Sequence, residues 1–457
     1  MKTLLAALVL CSLSAFGDNA SITKSLAAAV ERSGIPGAAV IAVDRNGIVY
    51  AGDFGLRDLE AKLPVTKETR FYIASSTKSF TALTTMLLAA DGKLDVDAPL
   101  DTVLPDLHLN RSLAVRDLLT HRLGFQNDAA VFRTAYSGEF DQATLYALIE
   151  SKSKSIPRSF SYDNLGYVIT AYAIERATGE SWKDVVAKRV LEPLAMRETT
   201  LRVPPENAPV AAPYVFDGDW RRATPKSDRT MHAAGGIYST TSDLARFVQM
   251  ELNHGGVLFP RRVIDETQSP QVHLKRRFAR FDRFAYGLGW YLADYDGELL
   301  IHHFGGFSGA QSHVSFMPER GLGVVVLTNT DGPLAHSLAA FVYDALLKKS
   351  DAQKRLDEDV QRLIEAKAKR AASIAARLDK LLATISAEGD EHPVDGSYKG
   401  DFGTIVVEGN RITLGDMSST LVHAKGSTFV VHFAPDEATL ATFRGKTLVW
   451  DSQEFNK

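Results

Sequence analysis

The chain has 457 residues, 45% of them apolar and 23% charged, and its 52 Lys and Arg nearly balance 55 Asp and Glu for a formal net charge of -3. That composition excludes a disordered chain and gives no electrostatic case for nucleic acid as the main partner. At roughly 150 residues per domain the length allows about three units, two of which a single large enzyme domain can absorb.

Residues 1–17 stand apart. Lys2 precedes an apolar run from Leu4 to Leu13, and Ala15-Phe16-Gly17 is a small-x-small cleavage pattern, so this segment reads as a secretory signal and the mature protein as secreted or periplasmic. The run is too short to span a bilayer, and no later stretch reaches about 18 uninterrupted apolar residues, so no transmembrane segment is expected. Cys11 is the only cysteine, and the bulky Leu10 before it argues against lipid anchoring. Cleavage near Gly17 leaves a mature chain without disulfides or a Cys nucleophile.

Ile22 to Arg32 has helical spacing, and the apolar runs Ala38 to Val43 and Ile48 to Ala51 flank Asp44-Arg45-Asn46-Gly47, a hairpin signal. From Ser76 to Leu100 the pattern turns helical, with Phe80, Leu83, Met86 and Leu87 and few charges, which predicts a helix buried on most sides. Helices and Gly/Pro loops fill Leu104 to Pro260, and a β-rich pattern returns from Tyr286 to Thr328. Strands at both ends of a long helical insertion predict one sheet assembled from distant segments. Leu346 to Ala387 contains neither Gly nor Pro, and Leu356, Val360, Leu363, Ile374, Leu378, Leu381 and Ile385 recur mostly at helical steps among charges. That is a long amphipathic helix or helix pair, read as a connecting strut. Beyond Gly389 the period becomes two, with short strands at Thr404 to Val407, Arg411 to Leu414, Thr428 to Phe433 and Lys446 to Trp450. The units are therefore 1–17, 18–348, 349–389 and 390–457, the last a small antiparallel β domain expected to pack on the main unit and border its cleft or an oligomer contact. The oligomeric state itself is not legible.

Ser75-Ser76-Thr77-Lys78 sets an ammonium one helical turn beyond a hydroxyl. Ser21 to Lys24 and Ser151 to Lys154 repeat the spacing, but only Ser75 stands where an apolar run, Phe71 to Ala74, meets a buried helix. A desolvated Lys78 loses proton affinity and can act as a base, while the helix N-terminus favours negative charge on Ser75. The alternative is that Ser75 or Ser76 only caps the helix. Tyr162-Asp163-Asn164 is the only Tyr-x-Asn. Its phenol can exchange protons with a hydroxyl or leaving group, shifting toward phenolate beside cations, and Asn164 can bond a substrate amide and Lys78. Against this stands a packed loop tyrosine with Asp163 or Asn164 capping a helix. His303-Phe304-Gly305-Gly306 lies between Leu299 to Ile301 and Ser312 to Phe316, where glycines let the backbone approach a substrate and an N–H can join that of Ser75 in an oxyanion hole. The rival His254-Gly255-Gly256 reads as a helix C-cap. His302 and His303 point to opposite faces of their strand and no liganding spacing accompanies them, so neither metal nor cofactor is expected.

In this order the motifs resemble the serine β-lactamase and penicillin-binding-protein superfamily, most closely the class C β-lactamase-like branch with family VIII esterases and D-amino-acid-specific peptidases. Leu118-Leu119-Thr120-His121, Gly235 to Thr240 and Tyr286-Gly287-Leu288-Gly289-Trp290 look like further landmarks, and the resemblance covers about Ile22 to Lys348. It implies an α+β fold, an antiparallel sheet flanked by helices plus an all-helical region, followed here by the helical connector and the small β domain. It implies an exported serine hydrolase that forms an acyl-enzyme on an ester, amide or peptide. Ser75 becomes the nucleophile, Lys78 its activating partner, Tyr162 the general base and acid and Asn164 a positioning residue, with His303, Gly305 and Gly306 at the substrate. The N–H groups of Ser75 and Gly306 would hold the oxyanion. Where such lactamases and transpeptidases carry Lys and a hydroxyl residue, this chain has His303 and Phe304, a switchable imidazole and an apolar ring. Esterase or peptidase work is therefore favoured over efficient β-lactam hydrolysis; the alternative is a β-lactamase or DD-carboxypeptidase, and from another class a catalytically idle binding protein, against which the presence of all three motifs argues.

Overall fold

The computed structural model describes residues 19–383, 393–431, 433 and 439–457. The signal reading of residues 1–17 and the boundary between 389 and 390 lie outside them. The main sheet has nine antiparallel strands, in the spatial order Val272–Phe278, Phe281–Tyr286, Tyr291–Tyr295, Glu298–Phe307, Ala310–Met317, Leu322–Thr328, Gly37–Asp44, Ile48–Asp58 and Leu63–Pro64. Gly37–Asp44 pairs with Leu322–Thr328, Val40 opposite Val326, so segments nearly 300 residues apart close one sheet. The Asn46-Gly47 hairpin is tied by Asp44 Oδ1, which accepts from the N–H groups of Asn46 at 2.7 Å and Gly47 at 2.8 Å.

Both faces of this sheet are covered, and the two-residue period divides its side chains between two cores. Val40, Ala42, Val324 and Val326 meet helices Asn19–Ser33 and Leu334–Leu346 on one side. Ile41, Val43, Val325 and Leu327 meet Thr77–Ala90, Thr241–Leu252 and the helical region on the other. Thr77–Ala90 is buried from Thr77 through Leu88. It ends ten residues before the expected Leu100, because Gly92 takes φ +70° and a Schellman pair of bonds, Gly92 N–H to Ala89 and Lys93 N–H to Leu88, closes the last turn. Ala352–Leu382 is a single helix. Its first half is more than a strut, since Ala352, Leu356, Val360 and Leu363 are buried in the core beneath the sheet. Among the described residues no helix is long and apolar enough to cross a membrane.

The C-terminal β region is a second nine-stranded sheet, all of whose pairings are antiparallel. Its edge strands, Met417–Thr420 and Val422–Lys425, are separated only by Leu421, so the sheet curls into a nearly closed barrel. Alternating residues such as Tyr398, Ile405, Val407, Phe429, Phe443 and Trp450 fill its interior. The barrel packs on the main unit through Phe132, whose ring lies 5.1 Å from Phe402 and 6.1 Å from Trp450. Arg133 donates to the carbonyls of Asp401 at 2.7 Å and Gly400 at 2.8 Å, and Glu139 accepts from the Thr404 N–H at 2.8 Å.

Candidate active site

Phe71–Tyr72 pairs with Tyr238–Ser239, and Ala74–Ser76 then makes a single 3-10 turn into helix Thr77–Ala90. Ala74 sits at φ +45°, a left-handed conformation that a residue with a Cβ holds only when its surroundings force it. The forcing contacts come from the sheet. Ser312 Oγ donates to the Ile73 carbonyl at 2.7 Å and shares a 2.8 Å hydrogen bond with Ser76 Oγ. Gly305 lies against the same carbonyl, where an added Cβ would stand 1.9 Å from Ile73 O. Ser76 occupies the N-cap position without a capping bond, so the capping alternative fails for it.

Lys78 is fully buried. Its Nζ donates to Ser75 Oγ at 3.0 Å, Asn164 Oδ1 at 2.7 Å and the Ala234 carbonyl at 2.9 Å. Burial pushes this amine well below the usual lysine range, with the charge of Asp163 opposing. Of the three acceptors only the Ser75 hydroxyl can reverse its role. As a neutral amine, Lys78 keeps two donations and turns its lone pair to the Ser75 proton.

Tyr162 places its ring 4.8 Å from Lys78 Nζ, and its hydroxyl is buried without a partner of normal hydrogen-bond geometry. The sequence suggested a phenol shifted toward phenolate, and the opposite holds. Burial pushes Tyr162 well above 10, Tyr291 adds to this, and Ser75 and Arg283 only partly oppose it. Asp163 accepts from the Leu165 N–H at the start of helix Leu165–Thr178, while Asn164, at the N-cap position without a capping bond, turns its Oδ1 to Lys78.

His303 is fully buried behind Tyr162, their rings 6.1 Å apart. Its Nδ1–H donates to the Phe304 carbonyl at 2.7 Å, which leaves Nε2 to accept from the Tyr286 hydroxyl at 3.2 Å. Burial and then the charge of Lys78 push it well below 6.5. The expected switchable imidazole is thus a neutral ring with both nitrogens engaged. Phe304 stacks on Phe278 at 4.6 Å, and Gly306 is exposed at the strand end.

Ser75, Lys78 and Asn164 are joined directly, with Tyr162, His303 and Gly305 packed around them. The sequence did not single out Ser312 or the Ala234 carbonyl, although Ala234 directly precedes the Gly235-Gly236 landmark. The other landmarks now have reasons. His121 lies 4.4 Å from the Tyr162 ring and accepts from the Asp163 N–H at 3.1 Å. Gly289, at φ +82°, lets its turn approach the helix that carries Lys78, where an added Cβ would stand 2.9 Å from Lys78 O. Ser21, Lys24, Ser151 and Lys154 are all exposed, and His254, at φ +52°, follows helix Thr241–Leu252 with Gly255 N–H bonded back to Met250, a C-cap turn. Among the described residues no group of three or more His, Cys, Asp or Glu side chains is arranged to hold a metal.

The model of the Beta-lactamase family matches residues 20–348, most of the chain. The chain belongs to this family. It is a serine hydrolase of the β-lactamase and penicillin-binding-protein superfamily. It is 27% identical over 382 residues to unguisins hydrolase ungD' of Aspergillus campestris (strain IBT 28561), an alignment covering 75% of this chain and 68% of that protein. The octameric penicillin-binding protein homologue from Pyrococcus abyssi superposes with a TM-score of 0.66 at 23% identity, covering 96% of this chain and 100% of its own, so its likeness extends through the C-terminal barrel. The D-amino acid amidase from Ochrobactrum anthropi SV3, solved with L-phenylalanine amide, has a TM-score of 0.60 at 23% identity, covering 75% and 99%. These two structures share the fold.

Proposed function

We propose that the protein is an exported serine hydrolase that forms an acyl-enzyme on Ser75 and acts on an ester or amide of the D-amino-acid peptidase or esterase type. The observation that carries this reading is the buried Lys78 amine, 3.0 Å from Ser75 Oγ and fixed by Asn164 and Ala234. Ser75 Oγ attacks the substrate carbonyl carbon and its proton passes to Lys78. The developing oxyanion is held by the N–H groups of Ser75 and Gly306, each such donor being worth about 2.7 to 4 kcal/mol. Tyr162, a neutral phenol, gives its proton to the departing alkoxide or amine and recovers one from Lys78. Water then attacks the acyl carbon by the reverse proton path and regenerates Ser75.

The D-amino-acid preference draws on the fold shared with a D-amino acid amidase. The test is turnover of a short-chain p-nitrophenyl ester and of D- and L-alaninamide by wild type and Ser75→Ala. Ester turnover that falls at least about 1,000-fold in the variant supports the acyl-enzyme. Folded wild type as inert as the variant overturns it, and acylation by penicillin that outlasts ester turnover supports the β-lactamase or DD-carboxypeptidase alternative.

A further inference from the structure

Beyond Gly306 the strand Glu298–Phe307 leads to a second buried lysine. Lys226 is 6% exposed, and its Nζ lies 3.8 Å over the Phe307 ring. Among the described residues its one hydrogen bond runs to the Ala135 carbonyl. The adjacent carboxylate is already engaged, since Asp416 of the barrel pairs with Arg229 and accepts from Ser227. Burial pushes the Lys226 amine down to about 7, with Asp416 opposing, which marks a cation short of counter-charge. Lys226 lines a cavity of about 30 Å³ with Tyr136, Thr230, Phe307, Asp416 and Met417, and a second of about 20 Å³ adjoins it. The larger has room for about two water-sized groups, the number of oxygens in a carboxylate.

The placement sets which part of a substrate comes here. Tyr162, the proton donor to the leaving group, sits with His303 and Tyr286 toward one end of the strand. Lys226 sits at the other end, beside Tyr72, which packs on Phe307 and donates to the Gly235 carbonyl. With the reacting carbonyl between Ser75 and Gly306, the leaving group lies toward Tyr162 and the acyl group runs toward Lys226.

We propose that Lys226, in a recess closed by the barrel residues Asp416 and Met417, is a specificity determinant that receives a carboxylate carried on the acyl group of the substrate. The substrate class is then an ester or amide whose acyl chain ends in an acid. This rests on the acyl-enzyme reading above. It also supplies a substrate-facing cation for a chain that carries none at His303, now from the main unit's surface under the barrel.

The test compares p-nitrophenyl hemiglutarate with its neutral counterpart, the p-nitrophenyl ester of monomethyl glutarate, with Ser75→Ala turnover subtracted. Wild type is expected to favour the acid by at least about ten-fold in kcat/KM, mostly through KM, as a charge-assisted bond provides. Lys226→Met should bring the ratio to about one, and Lys226→Arg should keep a preference for the acid. Should Lys226→Met not fold, free glutarate competing with the neutral ester on wild type, and more weakly on Lys226→Arg, supports the assignment. Equal turnover of both esters by wild type, no inhibition by glutarate, or a preference that survives in folded Lys226→Met overturns it and leaves the acyl-enzyme reading standing. Turnover of both esters that does not depend on Ser75 overturns both.

Discussion

Beneath the sheet, on the face away from Ser75, lies a cluster of histidines that fixes how the fold responds to acid. His302 and His313 are fully buried and His336 is 4% exposed. His313 and His336 share a 3.0 Å contact between their Nδ1 atoms, and Arg283 donates to His302 Nε2 at 3.2 Å. Burial pushes all three below 6.5, His336 to about 3, and the charge of Arg283 lowers each further. The sign follows directly. Below about pH 6.5 the unfolded chain takes up protons that the folded one refuses, so stability falls as pH falls, by about 1.4 kcal/mol per histidine at pH 5.5. His302 and His313 act in the same direction, as do the buried His121, His232 and His303, against a total of roughly 5 to 15 kcal/mol for a typical protein. Glu251, pushed up to about 8 by burial, works in the opposite direction over the same window, so a difference between variants is the sharper measure. Urea unfolding followed by tryptophan fluorescence at pH 7.5 and 5.5 should show wild type losing about 1.4 kcal/mol more than His336→Gln. Equal losses in the two proteins would refute the argument that His336 is held neutral.

Three changes probe the joint between the nucleophile turn and the sheet. Gly305→Ala sets a Cβ 1.9 Å from Ile73 O and 2.5 Å from Ser312 Oγ, so it should lower ester turnover by about 100-fold, as a misplacement near 1 Å does. Gly306→Ala has the flexible Gln311 side chain as its nearest neighbour, Oε1 at 3.2 Å, and should keep most of it; the same loss in both variants would sink the explanation. Ser312→Ala strips a partner from Ile73 O and Ser76 Oγ and should destabilise the fold by about 1 to 3 kcal/mol. An unchanged melting temperature would mean that the turn is held by other contacts.

Much of this was legible from residue types and spacing, and the reasons differ from element to element. Val40 and Val326 could be assigned to one sheet because full burial removes alternation from both strands, although no local rule says which strand a distant run will join. Ser75 stood out from Ser21 and Ser151 because only it follows an apolar run into a helix whose one charged residue is Lys78. The end of that helix was missed because Asp91-Gly92 is a brief signal inside a long apolar pattern. Ser312 was invisible, since a serine on a buried strand carries no mark of what it will bond. His303 was legible in place and misread in charge. Its neutrality comes from burial and from Lys78, and both depend on neighbours that reach it only through the fold.

That neutral histidine changes how charge is laid along the strand. At its Tyr162 end the ring of His303 donates to a carbonyl and accepts from Tyr286, so the Lys78 amine is the basic nitrogen in contact with the Tyr162 ring. Arg283 acts on Tyr162 from a distance, held 3.7 Å over the ring of Tyr291 and 3.9 Å over that of Phe278. With burial also holding Lys78 toward its neutral amine, nothing there offsets the desolvation of a phenolate, so Tyr162 keeps its proton, in keeping with the proposal that Lys78 takes one from Ser75. At the Phe307 end Lys226 carries positive potential under the barrel. This arrangement is the basis of the proposal above that the acyl chain carries the acid, and the two glutarate esters test it.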